Sequence, residues 1–311
     1  MKLYYAGDVH GSEKCWRKFL NAARFYEVDT LIMGGDITGK LMVPIVAGAG
    51  GRHLARVLGR DESAAEDELE ELEKRIRFNG FYPYRCDRAE YERLEADEAY
   101  RDEVFTRLMV DEVHRWIELA EERLGGTDVR CFVMPGNDDE FAVDAALESR
   151  YVVNPDNDVV RVGDFQMLSC SWTNRTPWDS PREEDEDDLL RRLRELAAQL
   201  EPGVPTIFNL HCPPHGTTLD KAPQLTPDLR VVLDGGEPRI VSVGSTAVRT
   251  LIEEVQPVLA LHGHIHESKA VAKIGRTTCV NPGSAYSEGV IDGAVVDVRG
   301  DKVKSCQLVT G

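Results

Sequence analysis

Long apolar runs are missing from this 311-residue chain. The N-terminus, MKLYYAGDVHG, reaches a carboxylate and an imidazole within its first ten residues, leaving room for neither a signal-peptide segment nor a membrane-spanning helix. A cytoplasmic location is expected. Positive charge is scarce as well: 37 Lys and Arg stand against 55 Asp and Glu, a formal net charge of −18. Phosphate backbones and anionic membranes are held by basic patches, so nucleic-acid polymers and membranes are disfavoured partners. An anionic substrate must find local positive charge, which bound metal would supply. The seven cysteines, Cys15, Cys86, Cys131, Cys170, Cys212, Cys279 and Cys306, are odd in number and scattered, with no Cys-x-x-Cys pair. They read as reduced thiols buried as small hydrophobes. The Gly-rich AGAGGR lacks the Gly-Lys-Ser/Thr ending of a phosphate-cradling loop.

What is present is a rhythm. Strand-length apolar runs end in polar or Gly-rich junctions at KLYYAGD, DTLIMGGD, VRCFVMPGND, PTIFNLH and PVLALHGH. Between them apolar residues recur at helical spacing in Glu13–Tyr26, Glu140–Arg150, Glu183–Leu200 and Ser245–Val255. Strand alternating with helix predicts an α/β core. From about Lys269 short strands follow one another as a meander that extends or backs a second sheet. The segment 40–125 stands outside this rhythm. It reads as a hairpin, LMVPIV and RHLARVLG, followed by two charged helices near Ser63–Arg77 and Arg88–Leu124, split by NGFYPYR. We take it as an insertion in one domain spanning 1–311, acting as a lid or as a contact between copies in a homo-oligomer. The acidic run Arg182–Asp188 reads as the solvated start of a helix.

Each core strand ends in something that can bind a metal: Asp8 and His10 in GDVHG, Asp36 in GGD, Asn137 in MPGNDDE, His211 in NLH, and His264 and His266 in GHIH. Any one of these alone is an ordinary turn, because Asp and Asn satisfy local backbone donors. Their recurrence at five strand ends is not, since ligands in open α/β sheets gather outside the carboxyl ends of the strands. Imidazole with carboxylate suits Mn, Fe, Zn, Co or Ni ions, and the lack of a Cys ligand set argues against structural zinc. Seven ligands are too many for one tetrahedral ion and suit two.

With these stretches in order, the chain resembles the calcineurin-like metallophosphoesterases, whose pattern is Asp-x-His, Gly-Asp, Gly-Asn-His followed by Asp or Glu, a lone His, and Gly-His-x-His. The matching stretches GDVHG, GGDITG, PGNDDE, NLHCPP and GHIHES run from residue 7 to residue 268, and NPGSAYSEGV resembles the closing segment of small bacterial and archaeal members. The resemblance implies a four-layer α-β-β-α sandwich of two mixed sheets. It also implies two divalent cations, manganese foremost: one on Asp8, His10 and His266, the other on Asn137, His211 and His264, with Asp36 bridging. Two such ions about 3.5–4 Å apart lower the pKa of a shared water and clamp the oxygens of an in-line displacement at phosphorus.

The departure is Asp138, where the family has His. Beside two cations its carboxyl is expected below about 3.9, unable to donate a proton and repelling a phosphate dianion more than a diester monoanion. Phosphodiesters, cyclic nucleotides among them, are thus expected over monoesters. Asp139 matches the family's acidic position and reads as orienting a neighbour or making a turn. His215, Asn174 and Arg175 are candidate substrate contacts, while His53 and His114 read as surface or packing residues and His262 as a satisfied core histidine. Two other readings stay open: a nucleotide or sugar-nucleotide pyrophosphatase, and a non-catalytic scaffold on the same fold.

Overall fold

The computed structural model describes all residues, 1–311. Two six-stranded mixed sheets organise it. The first runs, across the sheet, Lys302–Thr310, Asp292–Arg299, Lys2–Ala6, Thr30–Gly34, Arg130–Met134 and Val152–Val153; the second runs Ala270–Ile274, Thr277–Asn281, Leu259–Leu261, Thr206–Leu210, Phe165–Cys170 and Asp158–Val162. In each sheet the four strands joined in parallel include all those with a candidate ligand at their carboxyl end.

Alternation along the strands explains which faces meet. Leu3, Tyr5, Ile32 and Phe132 of the first sheet share one buried cluster with Met167, Ile207, Leu259, Leu261 and Val280 of the second. The intervening residues point outward. Tyr4, Leu31, Met33 and Val133 pack with helices α1 (Glu13–Phe25) and, further along, a 27-residue helix, Glu98–Leu124. On the other side Leu168, Phe208, Leu210 and Ala260 pack with the helices Glu186–Ala197 and Thr246–Val255. Local chemistry sets the ends of α1: the Ser12 side chain accepts from the Cys15 N–H, Glu13 lies in the first turn and Arg24 in the last. No helix is long and apolar enough to cross a membrane.

The segment 40–125 is more varied than its sequence predicts. The hairpin is there, Met42–Ala47 with Arg52–Val57, but it grows into a four-stranded sheet with Arg60–Ala65 and Tyr82–Cys86. The residues Ser63–Ala65, expected in a helix, therefore belong to a strand, and α2 (Leu69–Phe78) starts later. NGFYPYR supplies a strand instead of a mere break. The second expected helix is two, α3 (Arg88–Ala96) and α4 (Glu98–Leu124), because Asp97 turns the chain out of helix and its carboxylate caps the Tyr100 N–H. Helix α4 joins the main cluster: Trp116 stacks on Trp16 with centroids 5.1 Å apart, and the Trp16 Nε1 donates to the Trp116 carbonyl at 3.0 Å. Such a pair adds about 0.5–1.5 kcal/mol beyond area burial.

Three further expectations are corrected. Glu140–Arg150 is not an α-helix but two single 3₁₀ turns, Phe141–Val143 and Ala145–Leu147. Arg182 holds it from outside, taking the Asp139 carbonyl and the Asp144 carboxylate. The acidic run is only partly solvated, since Arg182 and Glu183 are buried and the helix α5 begins at Glu186. The C-terminal strands do not stay together: Ala270–Ile274 and Thr277–Asn281 join the second sheet, while the last two cross to the first, where Asp292–Arg299 pairs antiparallel with Lys2–Ala6 and Lys302–Thr310 forms the edge beyond it. The pair Asp158–Val162 and Phe165–Cys170 completes the second sheet, and no sequence expectation covered it. Six of the cysteines are buried and Cys306 is partly so, all unpaired.

Candidate metal centre

The parallel strands end side by side, and the residues that follow leave ordinary backbone geometry. Asp8, His10, Asp36 and His264 all have left-handed φ, at 55°, 39°, 51° and 66°. That conformation costs a non-Gly residue of order 1–3 kcal/mol and clusters at functional sites. Close approach is also built in. A Cβ on Gly136 would lie 2.2 Å from Asp36 Oδ1, and one on Gly263 would lie 2.4 Å from Asp8 Oδ2. Each glycine lets a neighbouring strand end come into contact with a carboxylate.

Two groups of donors result, each with ligand atoms within 4.8 Å of one another: Asp8, His10 and His266, and Asp36, His211 and His264. A third set, His10, Asp36 and Asp138, overlaps them. Asp36 is the pivot. Its Oδ2 lies 3.7 Å from His10 Nε2 and its Oδ1 lies 3.3 Å from His211 Nε2. His10 Nε2 and His266 Nε2 face each other at 3.2 Å, with Asp8 Oδ1 3.4 Å from the latter.

A donor set fits a cation when its lone pairs are bare and the rest of each side chain is held. His211 meets this test: its Nδ1 donates to the Gly34 carbonyl at 2.7 Å, and its Nε2 is buried without a partner. Asn137 meets it too, with Nδ2 donating to Ser180 Oγ at 2.6 Å and Oδ1 buried and unpartnered. Leaving such atoms unsatisfied costs about 1–3 kcal/mol each, a cost that a bound cation removes. The supporting bonds have the character expected around metal ligands. The Asp139 carboxylate, fully buried, accepts from Gly136 N, Ile37 N, Thr38 N and Thr38 Oγ1 at 2.7, 3.0, 2.8 and 2.5 Å, tying the Asp36 loop to the Asn137 loop. Asn281 Nδ2 donates to the Gly263 and Ile265 carbonyls, and Ser284 Oγ to the Asp8 carbonyl, so the closing segment locks GDVHG against GHIH.

Protonation follows from crowding. Burial drives His10 down to about 3, and burial with the neighbouring His211 drives His264 to about 4, leaving both imidazoles neutral. Burial opposes charge on His211 too, but Asp36 beside it wins and lifts the imidazole to about 10, so Nε2 carries a proton in the absence of a cation, and a metal ion bound there would take that proton's place. Asp36 in turn is held well below the carboxylate range, burial notwithstanding, chiefly by His211. Asp138 departs from the expectation of a lowered carboxyl: burial and the charge of Asp36 raise it, against the pull of Lys40, whose ammonium pairs with it.

Six of the seven expected ligands fall in these two groups, and Asn137 lines the same cleft as Asp36, His264 and His266. The three expected substrate contacts line the same cleft, with different freedoms. Asn174 is engaged on both sides, its Oδ1 accepting from Cys212 Sγ and its Nδ2 donating to the Val243 carbonyl. Arg175 is exposed and forks between Asp179 and Asp185. The backbone of His215 is fixed by Ser245 and Arg249. His262 is buried in the core, Nδ1 at 2.9 Å from the Leu210 carbonyl and 3.0 Å from that of Cys212.

Lys40 and Tyr286 escaped the sequence reading. Lys40 Nζ lies 2.5 Å from Asp138 Oδ2, and the Tyr286 ring stands 4.6 Å from His10. Both line the cleft. The available signal for Lys40 was its position four residues after Asp36; Tyr286 lay in the quoted NPGSAYSEGV.

No family model matches the chain. An uncharacterized protein of Methanocaldococcus jannaschii is 31% identical over 169 residues, covering 53% of this chain and 68% of that protein. One solved structure matches at TM-score 0.56 and 17% identity over 99% of this chain and 98% of its own. TT1561 of Thermus thermophilus matches at TM-score 0.52 and 12% identity over 100% of this chain and 97% of its own. At such identities the two structures speak to the fold alone, whereas the sequence match goes further: the chain belongs to the same family as the uncharacterized Methanocaldococcus jannaschii protein.

Proposed function

We propose that the protein is a dinuclear metal-dependent phosphoesterase of the calcineurin-like kind, built on a four-layer α-β-β-α sandwich and cleaving phosphodiesters in preference to monoesters. The observation that carries this reading is the buried, hydrogen-bond-free pair of donors, His211 Nε2 and Asn137 Oδ1, at a cluster whose central Asp36 turns one oxygen toward each triad. Asp8, His10 and His266 would hold one ion; Asn137, His211 and His264 would hold the other; Asp36 would bridge. Bound divalent cations, manganese foremost, supply Lewis acidity, a water of lowered pKa and charge stabilisation for displacement at phosphorus.

The protein's own groups do the rest. Asp139 and Ser284 fix the loops, so the ligands need little reorganisation on binding. Lys40 neutralises Asp138 and presents an ammonium at the cleft. Asp138, paired in this way, accepts rather than donates. It therefore offers no proton to a departing alkoxide, which favours esters with good or strained leaving groups. General-acid assistance is worth typically 10²–10⁴-fold, so slow turnover of simple alkyl monoesters is expected.

The test is a metal-reconstituted preparation assayed on matched phenyl mono- and diesters, with Asp36→Asn and His211→Ala beside it. The reading predicts diester cleavage that requires added divalent ion and is lost in both variants. Full activity in either variant would remove the site from the reaction, and faster monoester cleavage would overturn the preference for diesters.

A further inference from the structure

The cleft beside the cluster encloses about 1150 Å³. That exceeds the roughly 300–1,000 Å³ of pockets built for drug-sized ligands, and a bare phosphate or a methyl ester would leave it almost empty. Much of its lining comes from two segments that carry no candidate ligand, 174–178 and 222–243.

The second segment is an arm. Lys221–Pro223 pairs antiparallel with Ile240–Ser242, and further out Leu233–Asp234 pairs with Glu237–Pro238. Its root is pinned. The buried Asp220 carboxylate accepts from the Gly216, Thr217 and Gly244 N–H groups, and Ser268 Oγ, two residues past His266, bonds both the N–H and the carbonyl of Lys221. Beyond the root, no residue of the arm joins any buried apolar cluster. Leu229 and Val231 nonetheless face the cleft while 47% and 45% exposed, and Trp178 does so while 62% exposed. Trp178 is presented by a loop tied to the metal cluster: Glu183 accepts from the N–H and hydroxyl of Thr176, and also from Ser180, whose Oγ accepts from Asn137.

Apolar surface that folding does not bury, kept at the mouth of a polar cation site, is expected where a ligand's apolar face will cover it. Lys40 and Arg175 are the only Lys or Arg side chains lining the cleft, and Arg175 is already forked between two carboxylates. One phosphate suits that charge better than a polyphosphate chain. Resting on the phosphoesterase reading above, we infer that the arm 221–242 and Trp178 hold a flat aromatic substituent, a nucleobase or an aryl ring, of a substrate bearing a single phosphate at the metal cluster.

The test is a comparison of affinities, independent of turnover. Methylphosphonate, phenylphosphonate and thymidine 5′-phosphonate are titrated into the manganese-reconstituted full chain by calorimetry and by tryptophan fluorescence, which Trp178 reports as the most exposed of the four tryptophans. The two ring-bearing probes are expected to bind roughly 5- to 150-fold more tightly than methylphosphonate, the range for one base on an aromatic face. Tightening by both probes identifies any flat ring as the ligand, and tightening by the thymidine compound alone identifies the nucleobase. Trp178→Ala, and separately Leu229→Ser with Val231→Ser, should each collapse the preference toward one, while Phe25→Ser, on a remote exposed side chain, should keep it. A preference near one in the unsubstituted protein, no binding by any probe, or a preference that survives in both variants overturns the inference. Ring preference without hydrolysis of any ester leaves the cleft assignment standing and sinks the enzyme; hydrolysis without ring preference does the reverse.

Discussion

Arg182 sits at the back of the Asn137 loop, 1% exposed, with its charge spent on three partners. One guanidinium nitrogen donates to the Asp139 carbonyl at 2.7 Å, another pairs with Asp144, and the plane lies 4.4 Å from the Phe141 ring. Replacing it with Met keeps the bulk and removes all three. The Asp139 carbonyl loses its donor, which costs about 1–3 kcal/mol. The desolvated cation–π contact is worth up to about 2 kcal/mol. The pair with Asp144 counts for little, since that carboxylate is 40% exposed and rehydrates. Against these losses, Met spares the desolvation of a guanidinium. A net loss of about 3 kcal/mol is expected. With an unfolding entropy of about 0.65 kcal/mol/K for a chain of this length, that lowers Tm by about 5 °C. Thermal unfolding followed by circular dichroism reads it directly, with Asp144→Ala expected to cost under about 1 kcal/mol. A shift below about 1 °C for Arg182→Met, or the whole loss reproduced by Asp144→Ala, would refute this division of energy among the three partners. Because the same loop aims Asn137, metal affinity at that position should fall roughly 10- to 100-fold, as with other supports of metal ligands.

Asp36→Asn should take manganese uptake in equilibrium dialysis from two ions per chain to fewer than one, since both triads lose their shared carboxylate; retention of two would be fatal to the bridging role. Ligand linkage predicts that manganese at a hundredfold the dissociation constant of each site stabilises the unsubstituted chain by about 2.7 kcal/mol per ion, about 5.4 kcal/mol or 8 °C for two, and that most of this gain vanishes in Asp36→Asn. Lys40→Met leaves Asp138 uncompensated at the cleft and should raise KM for a diester about tenfold or more, with Lys40→Arg milder; an unaltered KM would dismiss Lys40 from substrate binding. Asp138→His installs a group that can carry a proton and should raise monoester turnover, and no rise would count against the lack of a proton donor as the cause of the diester preference.

Motifs that need only a strand and the residue after it were legible. Asp8, Asp36, Asn137, His211 and His264 each follow a short apolar run closely, so local pattern was enough to place them at a common edge. Long-range partners were not. Arg182 looks like part of an acidic, solvated run until Asp139, Asp144 and Phe141 are seen around it. Lys40 looked like the start of an insertion because its carboxylate partner, Asp138, lies far along the chain. The strands after Lys269 alternate alike, and nothing in alternation says that two stay in one sheet while two cross to the sheet of Lys2–Ala6.

Side-chain chemistry at strand ends was therefore set by the sequence itself, because strand, turn and ligand are near neighbours governed by local backbone preference. Tertiary structure alone decided how closely the donors approach one another, which lone pairs stay bare and which apolar side chains are left facing the cleft. Those depend on distances between segments remote in the chain, fixed only when two sheets close over a shared core.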